Sequence, residues 1–117
     1  MDLAAAEALL RAAGQQDDEA LDLLQIAGAF ALFDLGTLEE PVPLDPYQRH
    51  LNEMATAIRH AMPDGEVQAD LSTHLAAMRS VVIEAEGYRG DEQDYDAMHN
   101  ANILSVIERR RGLPVAI

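Results

Sequence analysis

The sequence predicts an all-α protein, a compact bundle of about five helices. Apolar residues recur at helical spacing in four long segments. Alanine, leucine and glutamate are abundant while valine and isoleucine are sparse, a composition that favours helices over strands. At 117 residues the chain has the size of one domain, so we expect residues 1–117 to form a single helical domain.

The first half of the chain contains two predicted helices, over residues 2–13 and from about Asp18 to Leu35. The second of these is apolar on nearly all sides, which is typical of a buried helix. We therefore expect it to be the central helix of the core. A Pro-rich connection over 36–44 then excludes helix and favours an extended segment.

The next two predicted helices lie on either side of a tight turn. Asp45 as cap and Pro46 in the first turn start a helix that ends near Met62. An apolar stripe predicts another helix over 66–86, ended by Gly87. Because the loop between the two helices is short, we expect them to be antiparallel neighbours.

The last predicted helix begins after Asp96 as its cap and runs to about Arg110. Gly112 is expected to terminate it, and Pro114 could start a further element.

Composition excludes several function classes. The formal net charge of −13 disfavours nucleic acid and anionic membrane surfaces, which would repel the chain. The chain contains no cysteine, and therefore no disulfide, thiolate metal site or cysteine nucleophile. No stretch has the length and apolar character of a membrane span, and the acidic Asp2 is unlike the start of a signal peptide. We expect a cytoplasmic protein.

Two charged clusters allow both a structural and a functional interpretation. Asp91, Glu92, Asp94 and Asp96 crowd one loop, but their spacing is not that of an EF-hand. We expect some of them to cap the last helix, with Asp94 or Asp96 accepting hydrogen bonds from its amides or from an arginine. The run 109–111 of three arginines fits the C-terminal turn of a helix better than an anion site.

The histidines suggest one weaker alternative, a metal-binding bundle. His50 and Glu53 lie on one predicted helix, and Asp70 and His74 lie at the next. Both pairs could face one ion, but a carboxylate-bridged site needs more glutamates. We expect no metal and no cofactor.

The C-terminal third carries a family resemblance. The matching runs are Gly87–Gly90, Asp94–Asp96, Asn100–Leu104 and Val106–Val115. They resemble the SirB1 family, bacterial proteins with a transglutaminase-like domain. The resemblance implies that a nucleophile begins the helix after the Gly-Leu-Pro turn, with His and Asp on later strands. Those positions lie beyond Ile117, so we assign no catalytic residue within this chain.

The resemblance does mark out a structural loop and helix motif. Its residues are Asp94, Asp96, Asn100, Glu108, Arg109, Arg110, Gly112 and Pro114. We interpret the chain as a non-catalytic structural or interaction domain, the N-terminal part of a longer transglutaminase-like protein. Its expected partner is the downstream domain or another protein.

Two further hypotheses remain open. The chain could be a fragment of a transglutaminase-like peptidase or acyl-transferase whose catalytic residues lie beyond Ile117. Its apolar surface also predicts self-association, most simply a two-fold homodimer with Leu113–Ile117 near the contact.

Overall fold

The structure, a computed structural model, describes residues 1–35, 41–63 and 70–113. Within these ranges the chain is mostly helical, which confirms the predicted fold class. The α-helices are α1 (Leu3–Ala13), α2 (Leu23–Leu35), α3 (Asp45–Ala61), α4 (Leu71–Met78) and α5 (Ile103–Arg109). Single 3₁₀ turns lie at Asp18–Ala20 and Met98–Asn100, and α4 continues as a π-helix over Arg79–Ala85. Two short strands, β1 (Arg89–Gly90) and β2 (Arg111–Gly112), pair in parallel.

The predicted helix from Asp18 to Leu35 is interrupted at Leu21, whose backbone is extended. The Asp22 side chain then accepts a hydrogen bond from the Gln25 amide at 3.1 Å, so Asp22 starts α2 as an N-cap. An aspartate that bonds to the backbone two or three residues ahead competes with helix continuation, which explains the break.

α2 is less buried than its composition predicts. Ala29 and Leu32 are fully buried against α1 and its neighbours, but Leu23 is 78% exposed and Phe30 62% exposed. The expectation that α2 is the central helix is therefore wrong. Its apolar residues point in all directions, and α1 and α5 cover only part of its surface.

α3 begins and ends close to its predicted limits, and Pro46 lies in its first turn. The prediction that Asp45 caps it is wrong: Asp45 is the first helical residue, and the N-cap position is Leu44, whose side chain makes no capping hydrogen bond. It packs against α4 and the π-helix, as expected for helices joined by a short connection. The predicted start of the second helix, at residues 66–69, lies outside the described residues. Its predicted end is confirmed, because Gly87 has a φ of 74° and closes the π-helix in a left-handed conformation that glycine favours.

α5, rather than α2, is the central helix. Leu104 belongs to a cluster of buried residues formed by α1, α2 and the start of α3, together with Leu32 and Leu44. Val106, two residues on, belongs to a second cluster with Met54 and Val81 from α3 and the π-helix. Among the helices of the described ranges, none has the length and apolar character needed to cross a membrane.

Candidate functional site

The region with the most polar contacts is the segment from Gly87 to Leu113, which folds back on itself. The amide of Arg89 donates to the carbonyl of Arg110 at 3.1 Å, and the amide of Asp91 donates to the carbonyl of Gly112 at 3.3 Å. These bonds pair β1 with β2 and close a loop around the 3₁₀ turn and α5. All the residues of the predicted loop and helix motif except Pro114, which lies outside the described residues, belong to this closed segment.

Arg109 braces the segment from its centre. Its Nε donates to Ser105 Oγ at 3.0 Å, and its Nη2 donates to Asn100 Oδ1 at 2.8 Å and to the Arg111 carbonyl at 3.2 Å. Its Nη1 lies 3.6 Å from Asp91 Oδ2. One guanidinium therefore joins α5, the 3₁₀ turn, β2 and the acidic loop, which uses the several fixed donors of arginine.

Asn100 organises the loop from the inside and is fully buried. Its Nδ2 donates to the carbonyls of Asp94 at 2.7 Å and Tyr95 at 3.1 Å. The backbone carbonyl of Asn100 accepts a hydrogen bond from the Leu113 amide at 3.0 Å. Asn100 thus satisfies backbone groups that the loop would otherwise bury without partners.

Asp91 is the acidic residue that the loop uses structurally. Its Oδ1 accepts from the amides of Gln93 and Asp94, both at 3.1 Å. The amide of Asp94 lowers the pKa of Asp91 below its ordinary value of 3.8; burial opposes this shift, while the Gln93 amide and the Arg109 guanidinium add to it. Asp91 is therefore ionised over the physiological range.

The predicted capping roles of Asp94 and Asp96 are wrong. Both side chains are exposed, and neither carboxylate accepts a hydrogen bond from another group of the described residues. α5 starts seven residues after Asp96, and its N-cap is Asn102, whose Oδ1 accepts from the Ser105 amide at 3.2 Å. Asn102 also donates to the Ala31 carbonyl at 3.0 Å, which fixes α5 against α2. The signal for this cap was an asparagine directly before an apolar run.

Gly112 does not terminate the helix as predicted. Arg110 does so, with φ 58° and ψ 28°, a left-handed conformation that is costly for a non-glycine residue. Two contacts hold Arg110 in place: its guanidinium stacks over the Tyr88 ring at 5.0 Å from the centroid, and it lies 3.8 Å from Glu86. Gly112 is needed for space instead, because a Cβ there would lie 2.6 Å from Val106 Cγ2.

Two further contacts tie the segment to α3. Glu108 accepts a hydrogen bond from the Tyr47 hydroxyl; burial and this carboxylate raise the pKa of Tyr47 to about 12. The buried Tyr88 hydroxyl lies 2.8 Å from His50 Nε2. The pKa of Tyr88 is also raised, mainly by burial.

A cleft of about 580 Å³ opens beside the acidic loop. It is lined by Arg89, Gly90, Asp91, Glu92, Gln93, Asp94, His99, Arg109 and Arg111. His99 Nε2 lies 3.8 Å from Asp91 Oδ2, an arrangement that could orient an imidazole. The described lining contains no hydroxyl or thiol to serve as a nucleophile beside it. Ser105 instead accepts a hydrogen bond from Arg109.

The histidine and acid pairs on the helices do not meet as a metal site in the described structure. His50 contacts Tyr88, and Asp70 caps α4 by accepting from the Thr73 amide at 2.9 Å. Across the described ranges, no group of three or more His, Asp and Glu side chains is placed to hold an ion.

Comparison with known proteins gives one match. The sequence model of the family described as Transglutaminase-like superfamily matches residues 45–117, more than half of the chain. No curated protein and no solved structure matches the chain. The matched region contains α3, α4, α5 and the closed segment, while α1 and α2 precede it.

Proposed function

The chain belongs to the transglutaminase-like superfamily, and on that premise we propose that it is a non-catalytic helical module of a SirB1-type cytoplasmic protein. In this role it packs against a downstream transglutaminase-like domain and regulates it. The match covers α3, α4, α5 and the closed segment, and α1 and α2 pack on this region through the buried cluster that contains Leu104.

One observation carries this proposal: the side chains of Asp91, Asn100 and Arg109 are engaged with other groups of the closed segment. Arg109 is bound to Ser105, Asn100 and the Arg111 carbonyl, and the Asp91 carboxylate is bound to two loop amides. Groups that serve catalysis must present a donor, acceptor or lone pair to a substrate. In the closed segment, the donors and acceptors of Arg109 and Asp91 bind other groups of the same segment. This supports a structural role for them.

Catalytic turnover on the purified chain tests the proposal. The chain should neither cleave peptides nor incorporate a labelled amine into a glutamine-containing peptide, because it has no cysteine and its cleft offers His99 no nucleophile. Mass spectrometry of both reactions is the measurement. Turnover that survives repurification and disappears in His99→Ala would overturn the proposal, since His99 is 47% exposed in its side chain and free to act.

Superfamily membership also supports a second function, that of a peptidase or acyl-transferase to which this chain contributes the helical part. Chemistry would then come from residues that follow Ile117. A native reading frame that continues past Ile117 and encodes Cys, His and Asp in transglutaminase-like order would favour this function. Reconstituted activity of such a longer protein, lost on substitution of that cysteine, would establish it.

A further inference from the structure

An apolar groove lies between α2 and the 3₁₀ turn that precedes α5. Its volume is about 360 Å³. One wall is a single face of α2, and the other is the turn with the start of α5. The lining residues are Ala27, Phe30, Ala31, Asp34, Met98, Ala101, Asn102 and Ile103.

The groove has a small, buried floor and large, exposed rims. Ala31 and Asn102 are 4% and 5% exposed and form the floor, while Phe30 and Met98 are 62% and 75% exposed. Contiguous exposed apolar surface of this kind is a feature of interaction sites. No segment within the described residues covers them.

The charge in the described lining of the groove is acidic. Asp34 is the only ionisable residue in its described lining, and it is exposed. The whole chain carries a formal net charge of −13. A partner that enters the groove therefore meets a mainly apolar surface with the Asp34 carboxylate in its lining, on a chain of strongly acidic net charge.

We propose that this groove binds a cationic amphipathic helix of a partner protein. The proposal rests on the function proposed above, an interaction module, and names the chemistry of its partner. The four lining positions on α2 span two helical turns, about 10 Å, which accommodates two apolar side chains one turn apart on a docked helix. Lysine or arginine residues flanking those anchors pair with Asp34, and the acidic net charge of the chain attracts them.

The same charges argue against other occupants. A second copy of the chain would bring the same carboxylate and the same acidic net charge to the contact, and like charges opposed at an interface weaken binding. An anionic membrane would be repelled for the same reason.

A panel of synthetic 18-residue peptides tests the proposal. Each peptide carries leucine, phenylalanine or methionine anchors at helical spacing and lysine on its polar face; matched controls replace every lysine by glutamate. Titration into the ¹⁵N-labelled chain should give saturable binding of a lysine peptide at micromolar concentrations, with shift changes centred on the groove. The affinity should fall with added salt, since Asp34 is exposed.

Variants locate the site. Met98→Glu should weaken binding about tenfold or more, a loss that corresponds to roughly 1.4 kcal/mol. Asp34→Asn, which keeps an oxygen for the Asn102 bond at 3.1 Å, should weaken binding of lysine peptides and reduce its salt dependence. Leu75→Glu, at a 55% exposed residue of α4 outside the groove, should leave binding unchanged and controls for added charge.

Three results would overturn the proposal: no saturable binding by any lysine peptide, equal binding of the glutamate controls, or shift changes that map away from the groove. Concentration-dependent broadening of the free chain that Met98→Glu abolishes would assign the groove to a second copy instead. If no peptide binds the groove, the expectation that the chain has no catalytic turnover is unaffected. Catalytic turnover by the chain would overturn the proposed function but would not change the result of the peptide titration.

Discussion

Gly112→Ala should destabilise the protein sharply for a one-methyl change. The added Cβ would lie 2.6 Å from Val106 Cγ2, 3.1 Å from Val106 Cγ1 and 3.0 Å from the Asn100 carbonyl oxygen. Neither neighbour can move easily, because Val106 and Asn100 are both fully buried. The strand must therefore shift, which strains its pairing with Arg89 and Gly90.

Overpacking of this kind typically costs about 1–3 kcal/mol of unfolding free energy. For a chain of 117 residues, the unfolding entropy is roughly 250 cal/mol/K, so each 1 kcal/mol lowers the melting temperature by about 4 °C. We expect Gly112→Ala to melt about 4–12 °C below the parent. Thermal and urea unfolding followed by circular dichroism would measure both quantities.

Two further variants separate this clash from a general intolerance of substitution. Gly90→Ala, on the paired strand, meets only the Gly112 carbonyl oxygen at 4.0 Å and should change stability by less than about 0.5 kcal/mol. Val106→Ala removes both clashing methyl groups, so the double variant should be more stable than the sum of the single losses by about 1 kcal/mol. Strict additivity, or a Gly112→Ala protein as stable as Gly90→Ala, would refute the packing argument.

Four other substitutions probe the contacts of the closed segment. Asn102→Ala should lower the unfolding free energy by roughly 2–3 kcal/mol, because a cap and the bonds to α2 are lost together, whereas Asp94→Ala should melt with the parent. Asp91→Asn should remove a contribution to stability that is lost in acid. The lowered pKa of Asp91 stabilises the fold at pH above its ordinary pKa of 3.8, and this stabilisation is lost as pH falls through the pKa in the folded state. The difference in melting temperature between the parent and Asp91→Asn should therefore disappear at low pH. Tyr47→Phe should remove a loss of stability at alkaline pH. Because the pKa of Tyr47 is raised from 10.0 to about 12, its protonated hydroxyl stabilises the fold below pH 10, and this stabilisation is lost as pH approaches 12. Absorbance at 295 nm would follow that tyrosine, and parallel profiles for parent and variant would contradict the link to Glu108.

The elements that sequence analysis predicts well are those governed by local chemistry. Pro46 lies in the first turn of α3, and Gly87 closes the π-helix in a left-handed conformation, as their residue types indicate. The hydrogen bonds of the acidic loop were harder to predict from sequence. Four carboxylates compete for the same backbone amides, and the path of the backbone decides which of them accepts. That path favours Asp91, which reaches two amides from a buried position.

The elements that escape prediction depend on distant contacts. β1 and β2 have two residues each, too few for any periodic pattern, and they pair across 22 positions. Their only sequence signal is that both are Arg-Gly, at 89–90 and 111–112. The left-handed Arg110 is likewise invisible locally, because its cost is offset by Tyr88 and Glu86 from another element. The exposed face of α2 shows the same point, since an all-apolar helix does not reveal which neighbours cover it.

The position of α5 between the two buried clusters determines how the molecule comes apart. A helix of seven residues has no stability of its own in water. It persists only while Leu104 and Val106 are held by their separate clusters. Opening either cluster releases α5, and the other cluster then loses its own buried anchor. The two buried clusters therefore unfold as one cooperative unit. A destabilising substitution in α1 should also loosen the packing of Tyr88 in the second cluster.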